Sequence, residues 1–347
     1  MADLFQGTTS EARLLADERF LRKIAYLYYE EGQSQEAIAA KESYSRQMIG
    51  KALQKARERG IVRIAIVPDL RAGYLRNLSR EVRLQLGLED LVLVAGQSMN
   101  ELAPEEMLDG VVTEIASMAA EYLDQLLAES DILAVSGGRV FLRNLVRYLK
   151  PSRLLAHLQV VATIGFVEAR TTYGDANLIA HDLAEAYGAN HLWFPAPAFL
   201  VDESQVQRTR SLPIIKEAYE MMQRASIVLT SVFPPHTNEA LVHRQIITPE
   251  QRELIEAYRP AADINHWVFD EEGRCINELL TPPPYFLSGM EIPRLKDKIA
   301  RGETKVLLIA GGSPAYVSAI RAVLHAGLAN ILVTDHVTAQ LLLRDDD

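Results

Sequence analysis

The chain has 347 residues, 48% of them apolar, enough to bury a sizeable core and to divide into one small and one larger domain. A formal charge of -10 speaks weakly against nucleic acid, a single cysteine (Cys275) excludes a disulfide framework or a cysteine-built metal cluster, and no apolar run reaches the length of a membrane span. Residues Met1 to Asp17 have neither a basic start nor an apolar run, so no secretory signal and a reducing, cytoplasmic setting are expected.

Residues 19–30 predict an amphipathic helix, with Leu21, Ile24, Ala25, Leu27 and Tyr28 at helical spacing and Gly32 as its stop. Ser34 is placed to cap a short helix, Gln35–Lys41, that buries Ile38 and Ala39. After a break at Glu42–Tyr44, Ser45 caps a third helix running to about Arg59, with Ile49, Leu53 and Ala56 inward and Gly60 ending it. Three short helices so spaced pack around one small centre and leave the polar side of the third outward, which is the geometry of a helix-turn-helix. That side is cationic: residues 45–63 hold Arg46, Lys51, Lys55, Arg57, Arg59 and Arg63 against Glu58 alone, a net +5. A solvated helix face also carries charge, but the tight turn and helix length favour double-stranded DNA as the partner.

Arg46 and Gln47, in the first turn, are the candidates for base edges, with Gly50 and Lys51 one turn later. Gly50 answers either to close approach to DNA or to close helix packing. Ser45, Lys55 and Arg57 are the candidates for phosphate contacts. The branched run from Ile61, ended by Pro68, predicts a strand, either a small wing or the route into the next domain. The domain boundaries expected are 1–66 for DNA binding and 67–347 for effector binding and oligomerisation.

From residue 70 onward helix and strand patterns alternate. Helices are predicted at Leu75–Leu86, Val111–Leu127 (stripe Ile115, Met118, Ala119, Tyr122, Leu126), Val140–Leu149, Asn177–Ala186 and Tyr316–Leu324. Strands are predicted at Leu91–Ala95, Ile132–Val135, Leu158–Ile164, His191–Phe194, Ile227–Thr230, Val306–Ala310 and Ile331–Thr334. This is an α/β pattern with a largely parallel sheet, whose ligand site belongs beyond the carboxyl ends of the strands. That rule selects Ser136, Gly137, Gly138 and Arg139 after one strand, Gly311, Gly312 and Ser313 after another, and Thr334 and Asp335 after the last. Glycines there permit close backbone approach and bare amide donors, although they also serve tight turns. Asp263 and Asp335 can hold sugar hydroxyls, cap a turn, or act as a general base in an enzyme. No HExxH pairs the eight scattered histidines, so neither a metal nor a cofactor is expected.

The stretch YYEEGQSQEAIAAKESYSRQMIGKALQKARERGIVRI, Tyr28 to Ile64, resembles the SorC family of bacterial sugar-responsive transcriptional regulators. The resemblance continues through NLSREVRLQLGLEDLVLV, ILAVSGGRV, FPAPAF, AADI, LLIAGGSPAYVSAIRAVL and ILVTD. It implies an N-terminal winged helix-turn-helix joined to a larger parallel-sheet domain resembling sugar-phosphate isomerases. It also implies operator DNA as partner, a sugar, polyol or sugar-phosphate effector, and a homo-oligomer, tetramer or dimer. By that comparison Gly137, Gly138, Arg139, Asp263, Gly311, Gly312, Thr334 and Asp335 lie in the effector pocket, and Arg46, Gln47, Gly50 and Lys51 fall on the recognition helix. The isomerase-like fold leaves an enzyme using Asp263 or Asp335 as the alternative.

Overall fold

A computed structural model of the chain describes residues 14–29, 31–59, 61–62, 72–99, 106–167, 174–234 and 238–344. Its contacts divide into two units, Met1–Pro68 and Asp69–Asp347.

The first unit holds helices α1 (Glu18–Tyr29), α2 (Gln35–Glu42) and α3 (Arg46–Glu58). Both expected caps form: Ser34 Oγ accepts from the Ala37 amide and Ser45 Oγ from the Met48 amide, each at 3.1 Å. Such caps contribute about 1 kcal/mol each. Ser43 adopts the left-handed conformation that ends α2 and turns the chain into α3. Leu21, Ile24, Ile38, Ile49 and Leu53 form a shared core, joined by Met48 and Ala52, which widen the inward face of α3 beyond the expected stripe. On α1 the stripe shifts: Phe20 is buried and Tyr28 only half-buried. The reason is tertiary, since the Phe20 ring meets Tyr44 of the inter-helix turn edge-on at 5.2 Å. The expected helix stop at Gly60 and the strand from residue 63 onward lie outside the described residues. The amides of Ile61 and Val62 both donate to the Ala56 carbonyl, at 2.8 and 3.1 Å.

The second unit opens with α4 (Ala72–Gln85), β1 (Asp90–Val94), α5 (Asp109–Leu126), β2 (Ile132–Val135), α6 (Leu142–Tyr148), β3 (Gln159–Ala162), α7 (Ala176–Tyr187) and β4 (Asn190–Leu192). There follow β5 (Phe199–Leu200), α8 (Glu203–Ser211), α9 (Pro213–Gln223), β6 (Ile227–Thr230), α10 (Asn238–His243) and α11 (Pro249–Glu256). The chain continues through β7 (Pro260–Ile264), β8 (Trp267–Asp270), α12 (Ile276–Leu279), β9 (Phe286–Leu287) and α13 (Leu295–Ala300). It closes with β10 (Lys305–Ile309), α14 (Pro314–His325), β11 (Ile331–Asp335) and α15 (His336–Leu342).

Seven strands form one sheet in the order β1-β11-β10-β6-β2-β3-β4, every pair parallel. All residues of β6 and β11 are buried, so both faces of these central strands are covered, as a parallel sheet requires. On α5 the buried apolar residues are Val111, Val112, Ile115, Ala116, Ala119, Ala120 and Leu123, whereas Met118, Tyr122 and Leu126 of the expected stripe stand at its margin. The small Ala116, Ala119 and Ala120 let the helix lie close to the sheet, and the Tyr122 hydroxyl turns aside to donate to Asp90 at 2.8 Å. From β2 the chain steps through β3 to β4, while β6, β10, β11 and β1 lie on the other side of β2. Strand order therefore reverses between β2 and β6, which opens a crevice at their carboxyl ends.

Candidate functional site

Two surfaces carry the expected chemistry, one on each unit. On α3, burial of Met48, Ile49, Ala52, Leu53 and Ala56 turns Arg46, Gln47, Lys51, Gln54 and Arg57 outward, all of them exposed. Arg46 Nε donates to Glu36 Oε1 of α2 at 2.8 Å. Lys55 is half-buried and pairs with Glu58 at 2.7 Å. Ser45 spends its oxygen on the Met48 amide but keeps a hydroxyl proton to donate. A Cβ built on Gly50 meets only Gln35 Oε1, at an ordinary 3.5 Å. Helix packing within the described residues therefore does not demand glycine there.

In the second unit a cleft of about 980 Å³, counting space open to solvent, sits where the strand order reverses. The loop after β2 contributes Gly137, Gly138 and Arg139, and the loop after β3 contributes Ile164 and Gly165. Gly138 donates its amide to the Gly174 carbonyl at 2.9 Å. A Cβ on Gly174 would stand 2.4 Å from Arg139 Cγ, so glycine there lets the arginine stem lie across it. Arg139 is exposed and has no ion-pair partner among the described residues. Asp175, the cap of α7, also lines the cleft, and burial raises its pKa despite the amides of Leu178 and Asn177.

Asp263 reaches the cleft because β7 bridges the segment after β6: the Phe233 amide donates to the Asp263 carbonyl at 2.8 Å and the Asp263 amide to the Phe233 carbonyl at 2.9 Å. Strands β7 and β8 are joined by Asn265 and His266 alone, at φ of 52° and 67°. Such a two-residue turn needs positive φ twice, easy for asparagine and strained for histidine. Four hydrogen bonds hold it: the His266 amide donates to Asp263 Oδ1 at 2.8 Å, Asn265 Nδ2 to Thr163 Oγ1 at 2.7 Å, and both the Tyr285 hydroxyl and Asn277 Nδ2 (3.4 Å) to the His266 carbonyl. The His266 Nδ1 atom is buried, has no hydrogen-bond partner among the described residues, and lies 3.9 Å from Asp263 Oδ2. Burial holds its imidazole below the ordinary histidine range, Asp263 opposing and Arg244 adding to the effect. Beneath the turn a polar belt runs across the strand ends: Ser136 Oγ bonds both Thr163 Oγ1 at 3.1 Å and Thr230 Oγ1 at 2.9 Å.

The structure thus gathers Gly137, Gly138, Arg139 and Asp263 in one cleft and adds Asn265, His266, Arg244 and Phe233, which sequence reasoning missed. Gly311, Gly312, Ser313, Thr334 and Asp335, also expected at the effector site, stand at the ends of β10 and β11, on the far side of β6 from β2, and are not among the residues that line this cleft. All five are buried. The Asp335 carboxylate is consumed within the fold, its Oδ2 accepting from the Gly312 amide at 2.9 Å and the Thr338 hydroxyl at 2.5 Å, its Oδ1 from the Val337 and Thr338 amides at 3.0 Å. A carboxylate so engaged is not poised as a general base. Gly311, at φ 145°, is crowded by Thr334 and Asp335, which would meet its Cβ at 2.6 and 2.8 Å, so packing accounts for this glycine.

A family model described as "Putative sugar-binding domain" matches residues 72–344. The chain is 26% identical over 322 residues to the deoxyribonucleoside regulator of Bacillus subtilis (strain 168), covering 92% of this chain and 96% of that protein. It is 26% identical over 343 residues to the sorbitol operon regulator of Klebsiella pneumoniae, covering 94% and 98%. The crystal structure of the full-length sorbitol operon regulator SorC from Klebsiella pneumoniae matches with a TM-score of 0.65 at 24% identity, over 94% of this chain and 99% of that one. Among the described residues no helix is long and apolar enough to cross a membrane.

Proposed function

The chain belongs to the family of sugar-binding transcriptional regulators to which SorC belongs, and on that footing we propose how it works: α3 reads operator DNA, and a sugar, polyol or sugar phosphate in the cleft modulates that binding. The role is regulatory and not catalytic.

One observation carries the effector reading. At the reversal point between β2 and β6, an exposed guanidinium without an ion-pair partner among the described residues (Arg139) and the His266 ring line the same cleft as the Asp263 carboxylate. Carboxylate and imidazole suit hydroxyl groups, and the guanidinium suits an anionic end. For DNA, Arg46 and Gln47 are assigned to base edges, Lys51 to the groove beside Gly50, and Ser45, Lys55 and Arg57 to phosphates. The chain acts in the cytoplasm as a homo-oligomer, dimer or tetramer, so that effector binding selects the subunit arrangement matching operator half-sites.

The test is a DNA-binding selection with the full-length chain at defined salt, followed by titration of the selected duplex with neutral polyols, sugars and their phosphates. A selected sequence whose affinity shifts with one of these supports the reading; duplex binding with no sequence preference overturns it.

A further inference from the structure

A second cavity of the same unit lies among α8, β8, α12 and β9 and holds about 1060 Å³, counting space open to solvent. It backs onto the effector cleft: Tyr285 and Asn277 line it and donate to the carbonyl of His266, whose ring lines the cleft. None of the residues assigned to DNA or effector lines this second cavity.

Its walls are aromatic. Trp267 and Phe286 are half-buried there and Tyr285 is buried. The polar edges of two of these rings are spent inside the fold, Trp267 Nε1 on the Met290 carbonyl at 3.0 Å and the Tyr285 hydroxyl on the His266 carbonyl. The cavity therefore meets ring carbon, whose π faces are electron-rich.

The charge is negative as well. Arg210 is the one cation among the described residues of the wall, and it is fully engaged. Its Nε donates to the Ser288 carbonyl at 3.0 Å and its Nη2 to the Leu287 and Gly289 carbonyls at 3.3 and 3.0 Å. Its Nη1 donates to Glu291 Oε1 at 2.7 Å, and its guanidinium lies 4.3 Å over the Tyr219 ring. Glu291 thus balances Arg210, while Glu203 of α8 and Glu278 of α12 are exposed and have no ion-pair partner among the described residues. A polyol needs donors as well as acceptors from its site, whereas an ammonium group needs only acceptors and π faces. Ring carbon offers no ligand atom to a metal ion, which sets the organic cation apart from an inorganic one.

We propose that this cavity is a second ligand site, for a small organic cation carrying an alkyl or quaternary ammonium group. The rings of Trp267 and Phe286 receive the ammonium, and Glu203 and Glu278 match its charge.

The chain has two tryptophans, Trp193 and Trp267, so Trp193→Phe leaves emission that reports on the cavity alone. The experiment titrates that full-length chain, at constant ionic strength, with choline chloride, with putrescine dihydrochloride, and with dimethylbutanol, the uncharged isostere of choline. A saturable change in emission in the millimolar range or tighter is expected with choline or putrescine, and binding about tenfold weaker or worse with dimethylbutanol. Glu203→Gln and Glu278→Gln are each expected to weaken cation binding about threefold. Glu185→Gln, at an exposed position on α7, is expected to match the parent. Should Trp193→Phe fail to melt cooperatively, calorimetry on the parent chain with the same three ligands replaces emission. No saturable response to either cation, equal affinity for dimethylbutanol, or parental affinity in both Glu203→Gln and Glu278→Gln overturns the proposal, as does equal weakening by Glu185→Gln. DNA binding enters none of these readouts.

Discussion

Arg46 on the first turn of α3 and Glu36 on the first turn of α2 form an ion pair of 2.8 Å between two mostly exposed side chains. The carboxylate holds the guanidinium and also sets a negative charge beside the helix face proposed to meet DNA. An exposed pair adds only about 0–1 kcal/mol to stability. Glu36→Gln is therefore expected to leave stability within about 0.5 kcal/mol, to tighten DNA binding several-fold, and to steepen its salt dependence by about one charge. Fluorescence anisotropy over a salt series checks this; an unchanged affinity and slope would place Arg46 away from DNA.

Gly50→Ala separates the folded chain from its complex. Alanine has room against Gln35 and favours the helix by about 1 kcal/mol, a gain read as a shifted urea midpoint. Operator affinity is expected to drop, because the added methyl faces the duplex. Higher stability with undiminished affinity would remove Gly50 from the interface.

Gln47 and Arg57 are both exposed on α3 yet are assigned different work. Gln47→Ala is expected to relax base preference at one operator position by about 1–3 kcal/mol, and Arg57→Ala to weaken all sequences alike and lower the salt slope by about one. Binding to a panel of single-substituted duplexes at several salt concentrations distinguishes them.

In the cleft, Arg139→Ala is expected to abolish the response to a phosphorylated effector while sparing a neutral polyol. Asp263→Asn is expected to impair both by tenfold or so, since the carboxylate meets hydroxyls and also holds the His266 amide. Titration of the operator complex with each ligand reads the difference. An Arg139→Ala chain that responds normally to phosphates would move the anionic end elsewhere.

The chain is expected to lose stability on acidification in part through His191. Its folded-state pKa of about 4 lies below the ordinary value of about 6.5, so between these limits the unfolded chain takes up the proton more readily. Stability contributed by the neutral ring is present above pH ~6.5 and lost as pH falls toward ~4. Tm measured from pH 7 to 4.5 is expected to fall less steeply for His191→Phe than for the parent.

The N-terminal helices were legible because their signals are local: Ser34 and Ser45 cap where a serine before a periodic segment caps. Arg139 and Gly138 were found because a strand followed by glycines marks a strand end in an open parallel sheet. Asn265 and His266 were not, because their place depends on β7 pairing back to Phe233, some thirty positions earlier, and on an asparagine turn whose only local mark is one residue tolerant of positive φ. Partners in space also decide how Asp335 is engaged. A carboxylate at a strand end reads as a ligand-binding group until Gly312, Val337 and Thr338 are seen around it.

The antiparallel β7–β8 hairpin delivers its two-residue tip to the cleft while standing outside the seven-stranded sheet. Substitutions at that tip leave the seven-stranded ladder untouched. Under the proposed effector reading, a lineage with this architecture can exchange one pair of residues and acquire a taste for a different metabolite while the sheet that carries them is passed on intact.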